Sequence, residues 1–341
     1  AIVGGASAFV ESTLAQVYKV KDGKEFRGGP SYYIERALGK RWLGVLFSIL
    51  LIACFAYGFN GLQTYNMSSA LEYYIPNYSD TILPAVVGLL IAAATAFVIF
   101  GGVHRIGFIS SVIVPIMAGI YILMGIFITL TNLDRVPEMF SLIFEGAFDF
   151  RAIFGGFAGS TVLSGNKRGL FSNEAGMGSA PNASATATVS HPVKQGMVQV
   201  LSVFIDTLMI CTTTAFILLL SGVTGIPEKL DGIPYVQAAI SANVGSLGIH
   251  FITFSIFAFA FTSLIGNYYY AESNILFIKN NRILLNVFRI TCLIAIFLGA
   301  QADFSTVWNL ADVLMGFMAI ENILVIFLLG GIAFKVLDDY T

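Results

Sequence analysis

Asn60, Gln63 and Asn66 recur at every third position inside a long apolar run, a spacing that sets the first two on neighbouring faces of one helix. Polar groups at membrane depth are costly, so they either hydrogen-bond between helices or meet a solute. Asp206 is the carboxylate well inside a second run, Gln195–Ser221, and Thr212, Thr213 and Thr214 follow it. A buried acid with hydroxyls nearby can hold a cation, relay a proton, or pair with a basic side chain for assembly alone. Thr262 and Ser263 place two adjacent hydroxyls in a third run, hard oxygen ligands of the kind Na+ takes. Gly155 to Gly169 read GGFAGSTVLSGNKRG, a glycine-broken, nearly apolar segment that runs into charge, as a discontinuous membrane helix does. In hydrocarbon a broken backbone survives only where it is buried in protein or lines a watery cavity. This segment is therefore expected to hold a solute site, and a β-branched side chain at Gly159 to block it.

Other chemistries are excluded. Gly159 through Lys167 mimics a phosphate loop, but the spacing is wrong and no Ser or Thr follows the lysine. His104, His191 and His250 fall in three separate loop regions and cannot share a metal or a triad. Cys54, Cys211 and Cys292 lie inside apolar runs without paired spacing. Hydrolase signatures are absent, so no enzyme is indicated. A net charge of −2 and the lack of interleaved basic and aromatic residues exclude nucleic acid as a partner.

The elements that must position these groups are membrane helices. Of the 341 residues, 57% are hydrophobic and 11% are charged, against about 25% charged in a soluble domain. Crossing ~30 Å of hydrocarbon takes about 20 mostly apolar residues. Such runs lie at Ile2–Tyr18, Leu43–Ala70, Ile82–Phe100, Ile106–Leu130, the broken Ala152–Phe171, Gln195–Ser221, Ile249–Ile278, Ile283–Gly299 and Val307–Phe334. The expectation is an all-α, polytopic membrane protein, a single transport domain over 1–341 that touches lipid along most of its length. Alternating the loops puts 15 of the 18 basic residues on one side, which makes the 19–41 and 165–196 loops cytoplasmic. The 222–248 loop, with its amphipathic stretch Tyr235–Val244, is then extracellular and is either a re-entrant cap or a plain surface loop.

The 165–196 loop combines Lys167, Arg168 and Glu174, which can form a gate latch, with a small-residue run from Ala183 to Ser190 that can pack as a helical hairpin. Its stretch RGLFSNEAGMGSAPNASATA, with GGPSYYI at Gly28–Ile34, GGVHRIG at Gly101–Gly107, FIDTLMICTTTA at Phe204–Ala215 and ADVLMGFMAI at Ala311–Ile320, resembles the alanine or glycine:cation symporter family over essentially the whole chain. The resemblance implies a LeuT-like fold of two inverted five-helix repeats, entered here at the second helix, so that the first discontinuous helix is not in the chain and the C-terminal end is short. It implies Na+, or H+ in some members, as the coupling ion, a small neutral amino acid as solute, no organic cofactor, and a multi-pass position in a prokaryotic plasma membrane.

Carried over by that resemblance, Gly155, Phe157, Gly159 and Ser160 match the unwound part of the sixth helix, whose backbone faces the solute. Thr262 and Ser263 match the paired hydroxyls that complete a sodium site, with Ser263 also near the solute, and Gln63 falls on the solute side of the third helix. Asn60 and Asp206 stay as further polar candidates. Three positions depart from the family pattern: Asn267 stands where a Trp is expected, Met315 where an Asn is, and Glu321 where a Pro is. An Asn at 267 removes an aromatic wall and leaves room for a larger or more polar solute. Two other readings stay open: an uncoupled or H+-coupled facilitator, and a receptor-like membrane protein descended from a transporter.

Overall fold

The computed structural model describes residues 1–23, 25–101, 103–148, 157–221 and 232–340. In these, every run read above as a span is helical: α1 (Ile2–Tyr18), α3 (Arg41–Ser69), α4 (Leu83–Ile99), α5 (Val103–Thr131), α7 (Phe157–Asn173), α9 (Pro192–Leu220), α11 (Ser246–Ile278), α12 (Arg282–Gly299) and α13 (Phe304–Tyr340). Six of the helices in the described residues are long and apolar enough to cross a membrane. Between them lie α2 (Pro30–Leu38), α6 (Val136–Phe148), the short α8 (Ala180–Ser184) and α10 (Ile233–Val244). A small antiparallel ribbon, β1 (Val20–Asp22) with β2 (Glu25–Arg27), pairs Val20 with Arg27 and is the one departure from an all-helical chain among the described residues.

Two helices change pitch. In α3 the stretch Ile52–Phe59, and in α9 the stretch Ile205–Cys211, are wound as π-helix, a form that concentrates at functional sites. The main apolar core joins α1, α2, α3, α4, α11, α12 and α13. A smaller cluster of Tyr121, Ile128, Met139, Ile217, Leu220, Ile240 and Ile252 packs α5, α6, α9 and α10 on the other part of α11. Within the 222–248 stretch, α10 buries Gln237, whose amide donates to the Ala70 carbonyl at the end of α3 (2.9 Å). Residues 222–231 lie outside the described residues. Asp303 caps α13, accepting from Ser305 Oγ (2.7 Å) and Thr306 N (3.0 Å). Those bonds, Ser305 first, hold its carboxyl down at about 2.

The expected break falls partly outside the described residues. Residues 157–173 run as one helix through Gly159, Gly165 and Gly169, so the unwound stretch expected around Gly155–Ser160 is not found over 157–160, and Gly155 lies outside the described residues. Glycine inside a helix costs only about 1 kcal/mol, and a helix keeps its peptide groups paired where no water is available. Among the described residues, the chain leaves helical geometry after Asn173. It resumes as α8 at Ala180, and Ala175–Ser179 between the two are buried.

Helix α12 crosses α3 at a glycine pair, and the contact is asymmetric. A Cβ on Gly299 would lie 2.5 Å from the Cα and the carbonyl oxygen of Gly61, whereas a Cβ on Gly61 would lie 3.9 Å from Gly299. Backbone cannot swing aside as a side chain can. Gly299→Ala is therefore expected to destabilise the protein by about 2 kcal/mol, within the range for overpacking, and Gly61→Ala to be nearly neutral. Melting temperatures of the two purified variants in detergent check this.

Candidate functional site

The interrupted segment holds its course through left-handed residues. Glu174, Gly176 and Gly178 have φ of 55°, 84° and 82°, conformations natural to glycine and unusual for glutamate. The freed backbone groups are met by side chains. Gly176 N–H donates to Glu11 Oε2 (3.1 Å), and its carbonyl accepts from Asn322 Nδ2 (3.0 Å). Asn182 Nδ2 donates to the carbonyls of Gly178 (3.0 Å) and Ser179 (2.9 Å). Asn173 Oδ1 takes the Ala175 N–H (3.0 Å). Asn182 is fixed in turn by Asn274 Nδ2 (3.0 Å), and Asn274 Oδ1 accepts from Ser31 (2.6 Å) and Ser48 (3.0 Å).

Beside this segment opens a cavity of ≈ 460 Å³. Phe59 and Gln63 line it from α3, Val114 from α5, Phe171 and Ser172 from the end of α7, Glu174 from the interrupted segment, and Thr262, Ser263, Gly266, Asn267 and Tyr270 from α11. Four residues singled out in the sequence, Gln63, Thr262, Ser263 and Asn267, thus meet around one space. Thr262 Oγ1 donates to its own helix at Phe259 O (2.9 Å), which turns its proton away and leaves its lone pairs for a ligand.

Asn60 and Asp206 stand behind the wall. Asn60 is buried, accepts from Asn267 Nδ2 (3.0 Å) and donates to Cys292 Sγ (3.4 Å), so it sets the Asn267 amide. Asp206 lies in the π-wound part of α9 and accepts from Ser172 Oγ (2.6 Å), while Asn173 Nδ2 donates to Thr207 Oγ1 (3.1 Å). This bond to Ser172 ties Asp206 to the last turn of α7. Phe157, Gly159 and Ser160 lie in the first turn of α7. Ser172 escapes the sequence reading, and Glu174 is read there only as a latch charge, because both sit in a polar stretch that has the composition of a loop. A signal is present all the same: two glycines spaced by one residue, Gly176-Met177-Gly178, directly after Ser172-Asn173-Glu174-Ala175.

Lys167 and Arg168 do not share a loop with His191. Both reach Asp312 Oδ2, Arg168 at 2.6 Å and Lys167 at 3.9 Å, whereas His191 stacks on Tyr340 (4.9 Å) and approaches Asp339 (3.7 Å). From Asp312 to Asp339 is about 40 Å along α13 at 1.5 Å per residue. Lys167 and Arg168 therefore sit towards the opposite end of α13 from His191. The charged pair has the look of a loop, yet it lies inside α7 and shares the Asp312 carboxylate, and the Trp308 ring lies 4.3 Å beneath the Arg168 guanidinium. Trp308 contacts Phe171 (5.2 Å), which contacts Phe59 (4.8 Å), so the ion pair rests on an aromatic stack over the cavity. Of the three expected latch charges, two form the ion pair, and Glu174 faces the cavity and accepts from Ser179 (2.6 Å).

A mostly helical, polytopic membrane chain with a buried interrupted segment beside a polar cavity has the architecture of a solute transporter. The profile of the sodium:alanine symporter family matches residues 1–341, and the chain belongs to that family. It is 49% identical over 340 residues to the amino-acid carrier protein AlsT of Bacillus subtilis (strain 168), covering 100% of this chain and 71% of the relative. It is 47% identical over 341 residues to the probable sodium/glutamine symporter GlnT of the same organism, covering 100% and 70%. The sodium/alanine symporter AgcS of Methanococcus maripaludis is 35% identical over 340 residues, with 97% of this chain and 73% of the relative covered. The protein is a multi-pass protein of the cell membrane.

The cost of a side chain in the interrupted segment is graded. A Cβ on Gly178 would meet Phe47 Cζ at 2.7 Å, Pro30 Cγ at 2.8 Å and Asn322 Cγ at 2.9 Å, whereas one on Gly176 has nothing nearer than 3.6 Å. Gly176→Ala is expected to cost the left-handed strain alone, about 1–2 kcal/mol. Gly178→Ala adds overpacking of about 1–3 kcal/mol. Yield of monodisperse protein and melting temperature in detergent should fall in the order wild type, Gly176→Ala, Gly178→Ala.

Proposed function

We propose that the ≈ 460 Å³ cavity is the solute site of a symporter that moves a neutral amino acid inward with Na+ by alternating access. The observation that carries this reading is the convergence of Gln63, Thr262, Ser263 and Asn267, from two helices, on the cavity beside the interrupted segment. In this reading the Thr262 and Ser263 hydroxyls supply ligands to the dehydrated Na+, the Glu174 carboxylate meets the solute ammonium, and Gln63 and Asn267 hydrogen-bond the rest of the solute. Access would change by parting the Arg168–Asp312 pair and the aromatic stack under it. The inverted five-helix arrangement is supported by the pairing of α1 with α9. These are the equivalent members of the two repeats if the chain enters at the second helix, and they pack along their length. Residues Gly155, Phe157, Gly159 and Ser160 would then lie on the approach to the site and not in its unwound core.

The solute is proposed to be larger or more polar than alanine. Trp buries ~150–250 Å², and Asn267 leaves that space open while its amide is aimed by Asn60 (3.0 Å). The relatives named for alanine and for glutamine bracket the solutes to test.

Replacing Thr262 and Ser263 together with Ala removes two oxygen ligands while leaving packing nearly intact. Apparent Na+ affinity in proteoliposome uptake is expected to fall at least tenfold, and unchanged Na+ dependence would sink the assignment. Uptake that is equal with and without a Na+ gradient in the wild type would favour an uncoupled facilitator instead. For selectivity, cold Ser, Thr and Gln are expected to inhibit labelled Ala uptake in the wild type. That inhibition should drop severalfold in Asn267→Trp, and identical inhibition profiles would show that residue 267 does not line the solute site.

A further inference from the structure

Glu11 sits in α1, fully buried, and the cavity chemistry above makes no use of it. One oxygen accepts from Asn322 Nδ2 and the other from Gly176 N–H (3.1 Å). Asn322 is equally committed: its second amide hydrogen goes to the Gly176 carbonyl (3.0 Å) and its oxygen accepts from Tyr33 OH (2.7 Å). Tyr33 and Asn322 are fully buried as well. Two helices, α1 and α13, thus close on both backbone groups of one residue, and α2 fixes the Asn322 amide through Tyr33. Burying a carboxylate without a cationic partner is costly, and a glutamine would fill the same volume. A glutamine, however, offers one acceptor and one NH2, so it could satisfy only one of the two donors and would set N–H against N–H at the other. The need for two acceptors at this point is what a carboxylate meets.

What it holds in place is the path of the segment that faces the solute cavity. Glu174, which lines the cavity, is two residues from Gly176, and both are left-handed. With Gly176 pinned on its N–H and its carbonyl, the direction in which the chain presents Ser172 and Glu174 is fixed. We propose that Glu11 is a positioning residue for the solute site, acting through Gly176 and Asn322 on the interrupted segment without touching solute or Na+. The proposal rests on the reading of the cavity as the solute site.

The test is Na+-driven uptake of labelled alanine by the full chain in proteoliposomes, with KM and maximal rate measured separately at saturating Na+. Glu11→Gln is expected to raise KM about tenfold, with a smaller change in maximal rate per folded molecule. Adding Asn322→Asp to Glu11→Gln restores the pattern of donors and acceptors. The introduced glutamine then donates to the introduced aspartate and accepts from Gly176 N–H, Tyr33 OH donates to the other oxygen of that aspartate, and only the Gly176 carbonyl loses its partner. The double variant is expected to recover most of the KM that Glu11→Gln loses, which a role in stability alone would not produce. Should Glu11→Gln fail to fold, Tyr33→Phe removes only the hydroxyl that orients the Asn322 amide, and it is expected to raise KM two- to fivefold. A wild-type KM in whichever of these variants folds overturns the proposal. Gln63→Ala, at the cavity wall, separates the two levels. If it raises KM while Glu11→Gln does not, the cavity reading stands and the role of Glu11 falls; if neither changes KM, both fall.

Discussion

Between Glu174 and Ser179 the chain abandons helical hydrogen bonding, with Ala175–Ser179 buried, and each peptide group freed there has to find a partner from the protein. Much of the remaining architecture can be derived from that demand. It explains a carboxylate on α1, an asparagine midway along α13 and another on α8, none of which a purely apolar bundle would tolerate. It also explains why α2, which is too short to span anything, is buried at Tyr33 and Ile34 in place of lying on the surface. The helices gather around the interruption because the partners for its backbone ride on them.

The helical framework is legible in the sequence because hydrocarbon imposes one rule on every span, and a run of about 20 apolar residues obeys it visibly. The interruption is not, for a physical reason. Glycine is the natural mark of a break, yet Gly159, Gly165 and Gly169 pass through a helix at small cost, while the segment that does break carries Ser172, Asn173 and Glu174 and so has the polarity of a solvated loop. The same bias gives Lys167 and Arg168, which are helical, the look of a loop, because the pairing with Asp312 spans 144 positions of sequence in the case of Arg168.

At the candidate site, Gln63, Thr262, Ser263 and Asn267 stand out because they are polar inside apolar runs, and they do converge. Asn60 stands out for the same reason and has a different use, as the partner that orients Asn267 (3.0 Å). Periodicity identifies the helix that carries both amides but cannot say which one faces the cavity. Glu11 gives no signal at all. A single glutamate in a short helix is unremarkable until the structure shows that its two partners are a backbone N–H on the interrupted segment and an asparagine 311 residues away.

The π-wound stretch of α3 has a consequence for how this wall can evolve. In it the Asn60 N–H reaches back five residues, to the Phe55 carbonyl, so each turn there takes up one residue more than an α-helical turn. An α-helix advances roughly 100° per residue, and the angular phase of everything beyond Phe59 depends on whether that extra residue is accommodated. Gln63 points into the cavity with the phase that this winding sets. A one-residue deletion between Ile52 and Phe59 would keep every polar group of the wall in the chain and still rotate Gln63 away from the cavity, so the length of this stretch is constrained as tightly as its composition.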